Sequence, residues 1–258
     1  MWKITPLFAE WLCAPRNPLF ATGVLTAQSA VLELGCGISA ILGLVLAPRV
    51  GRYVLTDQPY VARLVEQNIA DNYHDHHQHH HRPKDRSKAG KARKAKGAGV
   101  SSSSSPAETD QHLRFMPLDW ELDAVTASLA GGDARGGFDV VLACDCIYNE
   151  ALIDPLVSTC ADVCRLGRRR RRALPDGVDE GGREGEEDDE DDEEDPRPCV
   201  CVVGQQLRDP EIFEQWLVRF ARDFRVWRVP DTLLTEGLRS DSGFVVHVGI
   251  LRQPRGKT

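Results

Sequence analysis

No stretch of this 258-residue chain approaches the roughly 20 consecutive apolar residues of a membrane-spanning helix. Its opening, Met1-Trp2-Lys3-Ile4, lacks the pattern of a secretory signal. Both absences predict an intracellular, soluble protein with no membrane partner, cytoplasmic in the first place, with the nucleus as a second compartment. The eight cysteines lack disulfide spacing. Cys36, Cys144, Cys146, Cys199 and Cys201 lie in or beside apolar, strand-like runs, which fits reduced thiols. Metal spacing is missing too: Cys144 and Cys146, like Cys199 and Cys201, are separated by one residue, whereas zinc sites typically use about two to four. No metal site is expected. The formal net charge of -7 gives no general basic face for nucleic acid, so no specific nucleic-acid partner is expected.

The charge that is present is unevenly placed. Residues 74–111 hold eight Lys/Arg and six of the eight His, and residues 167–198 hold fourteen Asp/Glu against seven Lys/Arg. The first window runs from a His tract through a Lys/Arg/Gly/Ala stretch to Ser101–Ser105 and cannot bury enough apolar surface to fold. Its imidazoles have neither Cys partners nor fixed geometry, so a solvated insertion is expected rather than a metal centre. The second sets Arg168–Arg172 against the acidic run Asp176–Asp195 and lengthens a connection between elements; it too is expected to be a solvated insertion. About 188 residues remain, which suits one domain and leaves little room for a second. The expectation is a single domain over 1–258, carrying insertions at 74–111 and 167–198, and a monomer.

With the insertions set aside, strand and helix alternate. Strands are expected at Val31–Leu34, Tyr53–Thr56, Arg114–Leu118, Phe138–Ala143, Cys199–Val203, Phe224–Val229 and Phe244–Leu251. Helices are expected at Ser39–Leu46, Pro59–Asn72, Leu122–Leu129, Ala151–Cys164 and Pro210–Phe220. Short continuous apolar strands joined by helices predict an α/β fold with a parallel sheet covered on both faces. The last two strands have no helix between them and are expected to form an antiparallel pair at one edge.

Glu33-Leu34-Gly35-Cys36-Gly37 follows the first strand and leads into a helix. Glycines at 35 and 37 allow a tight turn and the close approach of a ligand, at the carboxyl ends of the strands where ligands bind in open α/β sheets. Asp57 ends the second strand, where its carboxylate can accept two ribose hydroxyls, or cap the helix that Pro59 begins. Together these mark an adenosine-containing cofactor. Gly35-x-Gly37-x-x-Ala40 also satisfies the loose dinucleotide fingerprint. Glu33 favours a cofactor bearing an amino group, which a nicotinamide dinucleotide lacks, or else is a solvated strand end.

These residues resemble the class I, seven-stranded S-adenosylmethionine-dependent methyltransferases, and within them the protein-lysine methyltransferases related to methyltransferase-like 21. The glycine-rich loop, Asp57, Leu118-Asp119-Trp120 and Asp145-Cys146-Ile147-Tyr148 occur in that family's order. Asp145–Glu150, Val203–Pro210 and Val226–Pro230 are similar to a fungal group of ribosomal lysine methyltransferases. The resemblance implies a Rossmann-like sheet, mostly parallel with an antiparallel C-terminal strand, and S-adenosyl-L-methionine as cofactor. It implies cofactor contacts from Trp2, Gly35, Cys36, Gly37, Asp57, Trp120 and Ala143. Glu33 and Asp119 join them on physical grounds, Asp119 as acceptor for the adenine amine beside a stacking Trp120; for Trp120 an ordinary packing role stays open. Family members carry a strand-rich segment before the tryptophan that Trp2 matches, so a chain shortened at its N-terminus is expected.

Methyl transfer from a sulfonium to an amine is an in-line displacement, so the catalyst must align the amine and supply it unprotonated. An apolar, aromatic channel does the second by disfavouring the ammonium form. Tyr148, with its ring beside the channel, and Asp145, accepting from the amine, are expected to line it; a capping Asp and a packing Tyr are the alternative. The substrate the resemblance implies is a lysine of a large-subunit (60S) ribosomal protein. A lysine of an elongation factor or chaperone, and an inactive cofactor-binding scaffold, remain open. A nicotinamide-dependent oxidoreductase is disfavoured by the loose fingerprint and the lack of a second domain.

Overall fold

The structure is a computed structural model that describes residues 2–73, 112–131, 137–173 and 197–253. The expectations for 74–111 and for most of the acidic window lie outside the described residues. Residues 1–73 and 112–258 cluster as one unit.

Seven strands form one sheet: β1 (Ala30–Leu34), β2 (Arg52–Asp57), β3 (Leu113–Pro117), β4 (Val140–Cys144), β5 (Val200–Gln206), β6 (Phe224–Arg228) and β7 (Phe244–Leu251), in the order β3-β2-β1-β4-β5-β7-β6. β1 to β5 pair in parallel, and β7 runs antiparallel between β5 and β6. The expected parallel sheet with an antiparallel end is therefore present. The helices are α1 (Ile4–Cys13), α2 (Pro18–Ala21), α3 (Ile41–Leu46), α4 (Ala62–Asn72), α5 (Ile153–Ala173) and α6 (Pro210–Asp223).

Side chains alternate across a strand, and the core divides accordingly. Val31, Tyr53, Leu55, Val140 and Val202 pack with Ile4, Phe8 and Leu12 of α1 on one face. Leu32, Val54, Val141, Ala143 and Val203 pack with Val157 of α5 and Trp216 and Phe220 of α6 on the other. Both faces being covered is why the strands read as continuous apolar runs.

Ahead of the expected strand at Val31, which β1 contains, lies α1, whose buried Ile4, Phe8, Trp11 and Leu12 carry the helical spacing that marks it. Two expectations are corrected. Leu122–Leu129 is not an α-helix; only a short 3-10 turn forms, at Ala127–Ala130. Asp119 Oδ1 accepts from the Glu121 amide at 2.9 Å and Asp123 Oδ2 from the Asp119 amide at 2.8 Å, local bonds that compete with helical ones. Finally, α5 continues past Cys164 to Ala173, so the helix takes in the first residues of the window expected to be an insertion from 167.

Candidate functional site at the carboxyl ends of the strands

Parallel pairing of β1 to β5 brings the segments that follow them to one edge of the sheet. After β1 the chain turns through Gly35 (φ 67°) and Gly37 (φ 63°), left-handed positions that glycine takes without steric cost. The Cys36 amide donates to the Thr56 carbonyl at 3.0 Å, and the Gly37 amide to Asp57 Oδ2 at 2.8 Å. Asp57 Oδ1 accepts from the Gln58 amide at 2.7 Å. Asp57 thus pins the glycine loop to β2 rather than capping a helix, and each oxygen keeps a lone pair for a further donor.

The two glycines serve different ends. A Cβ at Gly35 would come within 2.8 Å of Cys146 Sγ and 3.2 Å of the Trp120 ring, whereas one at Gly37 would meet nothing within 4 Å. Gly35 is required by packing, with the indole resting on it, and Gly37 leaves open space beside Asp57. Trp120 Nε1 is buried and has no hydrogen-bond partner, an unmet donor on the ring that rests on Gly35. Asp119 is held low in its titration by the Glu121 amide first of all. A ribose beside Asp57 and a base beside Trp120 fit these groups, as an adenosine requires.

Glu33 is not a solvated strand end. It is 2% exposed, and Tyr53 Oη donates to its Oε2 at 2.7 Å. Strand alternation places it with Tyr53 on the α1 face, and burial pushes its carboxyl up to about 8, helped by Asp57 and opposed by the Tyr53 hydrogen bond. Burial first, then the Glu33 carboxylate, pushes the Cys36 and Cys144 thiols up as well, so neither offers a thiolate nucleophile. Ala143 is wholly buried among the residues packed by α5 and α6, which leaves only its backbone to face a ligand.

Past β4, Asp145 takes a left-handed conformation (φ 59°) with its side chain fully buried. Its oxygens are bound by Arg208, Nη1 to Oδ1 at 3.1 Å and Nη2 to Oδ2, and Oδ1 also accepts from the Gln206 amide at 3.2 Å. Helix capping falls instead to Asn149, whose Oδ1 accepts from the Ala151 amide. The expectation that Asp145 accepts directly from an incoming amine is therefore corrected: a bidentate guanidinium covers it. The Arg208 guanidinium lies 4.8 Å from the centre of the Trp2 ring, and the Trp2 and Tyr148 rings are 6.1 Å apart. Tyr148 is 53% exposed, and its phenol is raised by partial burial and then by nearby Cys146, Tyr60 and Asp57. Sequence reading missed Arg208 and Tyr53. Arg208 sits within the quoted Val203–Pro210 stretch and had a signal; Tyr53 looks like any strand aromatic.

Residues 101–169 match the lysine methyltransferase family. The chain is 32% identical over 197 residues to ribosomal lysine N-methyltransferase 5 of Saccharomyces cerevisiae (strain Lalvin EC1118), covering 62% of this chain and 53% of that protein. It is 27% identical over 240 residues to the protein of the same name from Zygosaccharomyces rouxii, covering 88% and 64%. The chain thus spans between about half and two thirds of the length of these curated relatives. Among solved structures, N-methyltransferase NodS from Bradyrhizobium japonicum WM9 in complex with S-adenosyl-L-homocysteine aligns with 12% identity and a TM-score of 0.48, over 98% of this chain and 92% of that one.

Proposed function

We propose that this chain is an S-adenosyl-L-methionine-dependent protein-lysine N-methyltransferase whose substrate is a large-subunit ribosomal protein. The observation that carries the reading is the loop at Gly35–Gly37 tied by its amide to Asp57, with open space at Gly37 and, on the ring that rests on Gly35, the unpartnered Trp120 Nε1. The match to the lysine methyltransferase family and the names of the curated relatives support the acceptor.

Asp57 would hold the ribose hydroxyls, Trp120 would meet the adenine ring, and the glycine loop would admit the rest of the ligand. When bound, the cofactor supplies a methyl group on a positively charged sulfur. The chain's own task is to deliver a neutral, aligned amine. Trp2 and Tyr148 form apolar walls at the acceptor end that disfavour the ammonium form. Asp145 acts through Arg208, fixing the guanidinium across Trp2 and so setting the shape of that opening.

The test is transfer of labelled methyl from S-adenosylmethionine to ribosomes of a strain lacking the enzyme, with the product located by mass spectrometry. Label on one lysine of a large-subunit protein is expected. Label confined to an elongation factor or chaperone, or cofactor binding with no transfer, would overturn the assignment.

A further inference from the structure

Eleven large apolar side chains are exposed among the described residues, and five follow the carboxyl ends of five different strands. Ile38 follows β1, Tyr60 β2, Leu122 β3, Tyr148 β4 and Leu207 β5. Scattered exposed apolar residues need no explanation, but one after each parallel strand, all at the edge that holds the site, is not scatter. In sheet order they run Leu122, Tyr60, Ile38, Tyr148, Leu207. With strands about 4.8 Å apart the row is about 20 Å long, the reach of about six extended residues. Tyr60 is 82% and Leu122 84% exposed.

Charge at the same edge has one dominant sign. Glu121, Asp123, Glu150, Asp209 and Glu211 are exposed in the segments after β3, β4 and β5. The Arg208 charge there is met by Asp145, leaving, among the described residues, Arg63 at the start of α4 and Lys3 as exposed cations of this edge. An acidic, apolar row repels phosphate backbones and suits a basic polypeptide.

We propose that this row is the docking surface for the protein substrate, and that it selects an extended basic segment with apolar side chains flanking the acceptor lysine. The proposal rests on the methyltransferase reading for its acceptor lysine but is tested by binding alone. The probe is a fluorescein-labelled hexapeptide of alternating lysine and leucine, compared by anisotropy with lysine-serine and glutamate-leucine hexapeptides. The lysine-leucine peptide is expected to bind about tenfold more tightly than either. A variant combining Glu121→Lys, Leu122→Ser and Glu150→Lys is expected to lose about tenfold in that affinity, with its calorimetric affinity for S-adenosylmethionine within about twofold. Asp71→Lys, at the far end of α4, is expected to change neither. Equal binding of the three peptides, an unaffected triple variant, or tighter binding of a single-stranded RNA hexamer overturns the surface. So does a rise in peptide affinity when the basic residues of 82–96 are replaced by glycine and serine, which would make the chain's own segment the occupant. Peptide binding with these preferences alongside failed methyl transfer would overturn the enzymatic reading and leave the surface standing.

Discussion

Glu33 is neutral at neutral pH because the residue period of a strand aims it into the apolar face under α1, where Tyr53 is its hydrogen-bond partner. The unfolded chain releases that proton near 4.5, the folded chain near 8. The stability contributed by the neutral carboxyl is therefore fully present below about pH 4.5 and is lost as pH rises towards 8, at about 1.4 kcal/mol per pH unit. Relative to wild type, Glu33→Gln is expected to gain stability between pH 5 and 8, read from urea midpoints; parallel pH curves for the two proteins would contradict a buried neutral acid. Arg208 presents the opposite case. Arg208→Ala leaves the Asp145 carboxylate buried and unpaired, an expected loss of about 3 kcal/mol, and adding Asp145→Asn should recover much of it in a double-mutant cycle. Asp57→Ala is expected to cost at least about tenfold in S-adenosylmethionine affinity by calorimetry, since it removes the tie to Gly37 and, on the proposed reading, the ribose acceptor. The tie between Gly37 and Asp57 joins residues that turn chemistry and spacing mark locally, whereas Trp120 was singled out only through the family resemblance. The Asp145–Arg208 pair was not legible, because 63 residues separate its members and only the β4–β5 pairing brings them together.

At the level of elements, the strands and their alternation with helices could be read from apolar runs. What could not be read is which turns win a local contest: Asp119 and Asp123 divert the stretch after β3 from a helix that its apolar spacing allows. Docking of α1 depends on a missing side chain in the sheet. A Cβ at Gly204 of β5 would come within 2.9 Å of the Phe8 ring, and Phe8 is fully buried. Gly204→Ala is expected to destabilise by about 1–3 kcal/mol through overpacking, partly relieved by Phe8→Leu. Thermal denaturation of the single and double variants checks this, and an additive pair would show that the two positions do not press on each other.

Across the whole molecule, the sheet is closed by the strand nearest the C-terminus. β7 is the neighbour of both β5 and β6, so removing residues 244–253 leaves β6 without its pairing partner and opens one side of β5. That truncation is expected to abolish cooperative unfolding and give protease-sensitive protein; a sharp urea transition in the shortened chain would show that the parallel strands fold without it.

The same wedge position sets an order of events during synthesis. β5 emerges from the ribosome well before its neighbour exists, and from Val200 to Gln205 every residue is buried in the finished sheet. Until β7 has emerged, that apolar edge can recruit strands from other nascent chains. Correct assembly therefore depends on shielding β5 for the time it takes to translate α6, β6 and β7, and yield in expression should respond to chaperone supply more than to changes at the carboxyl ends of the parallel strands.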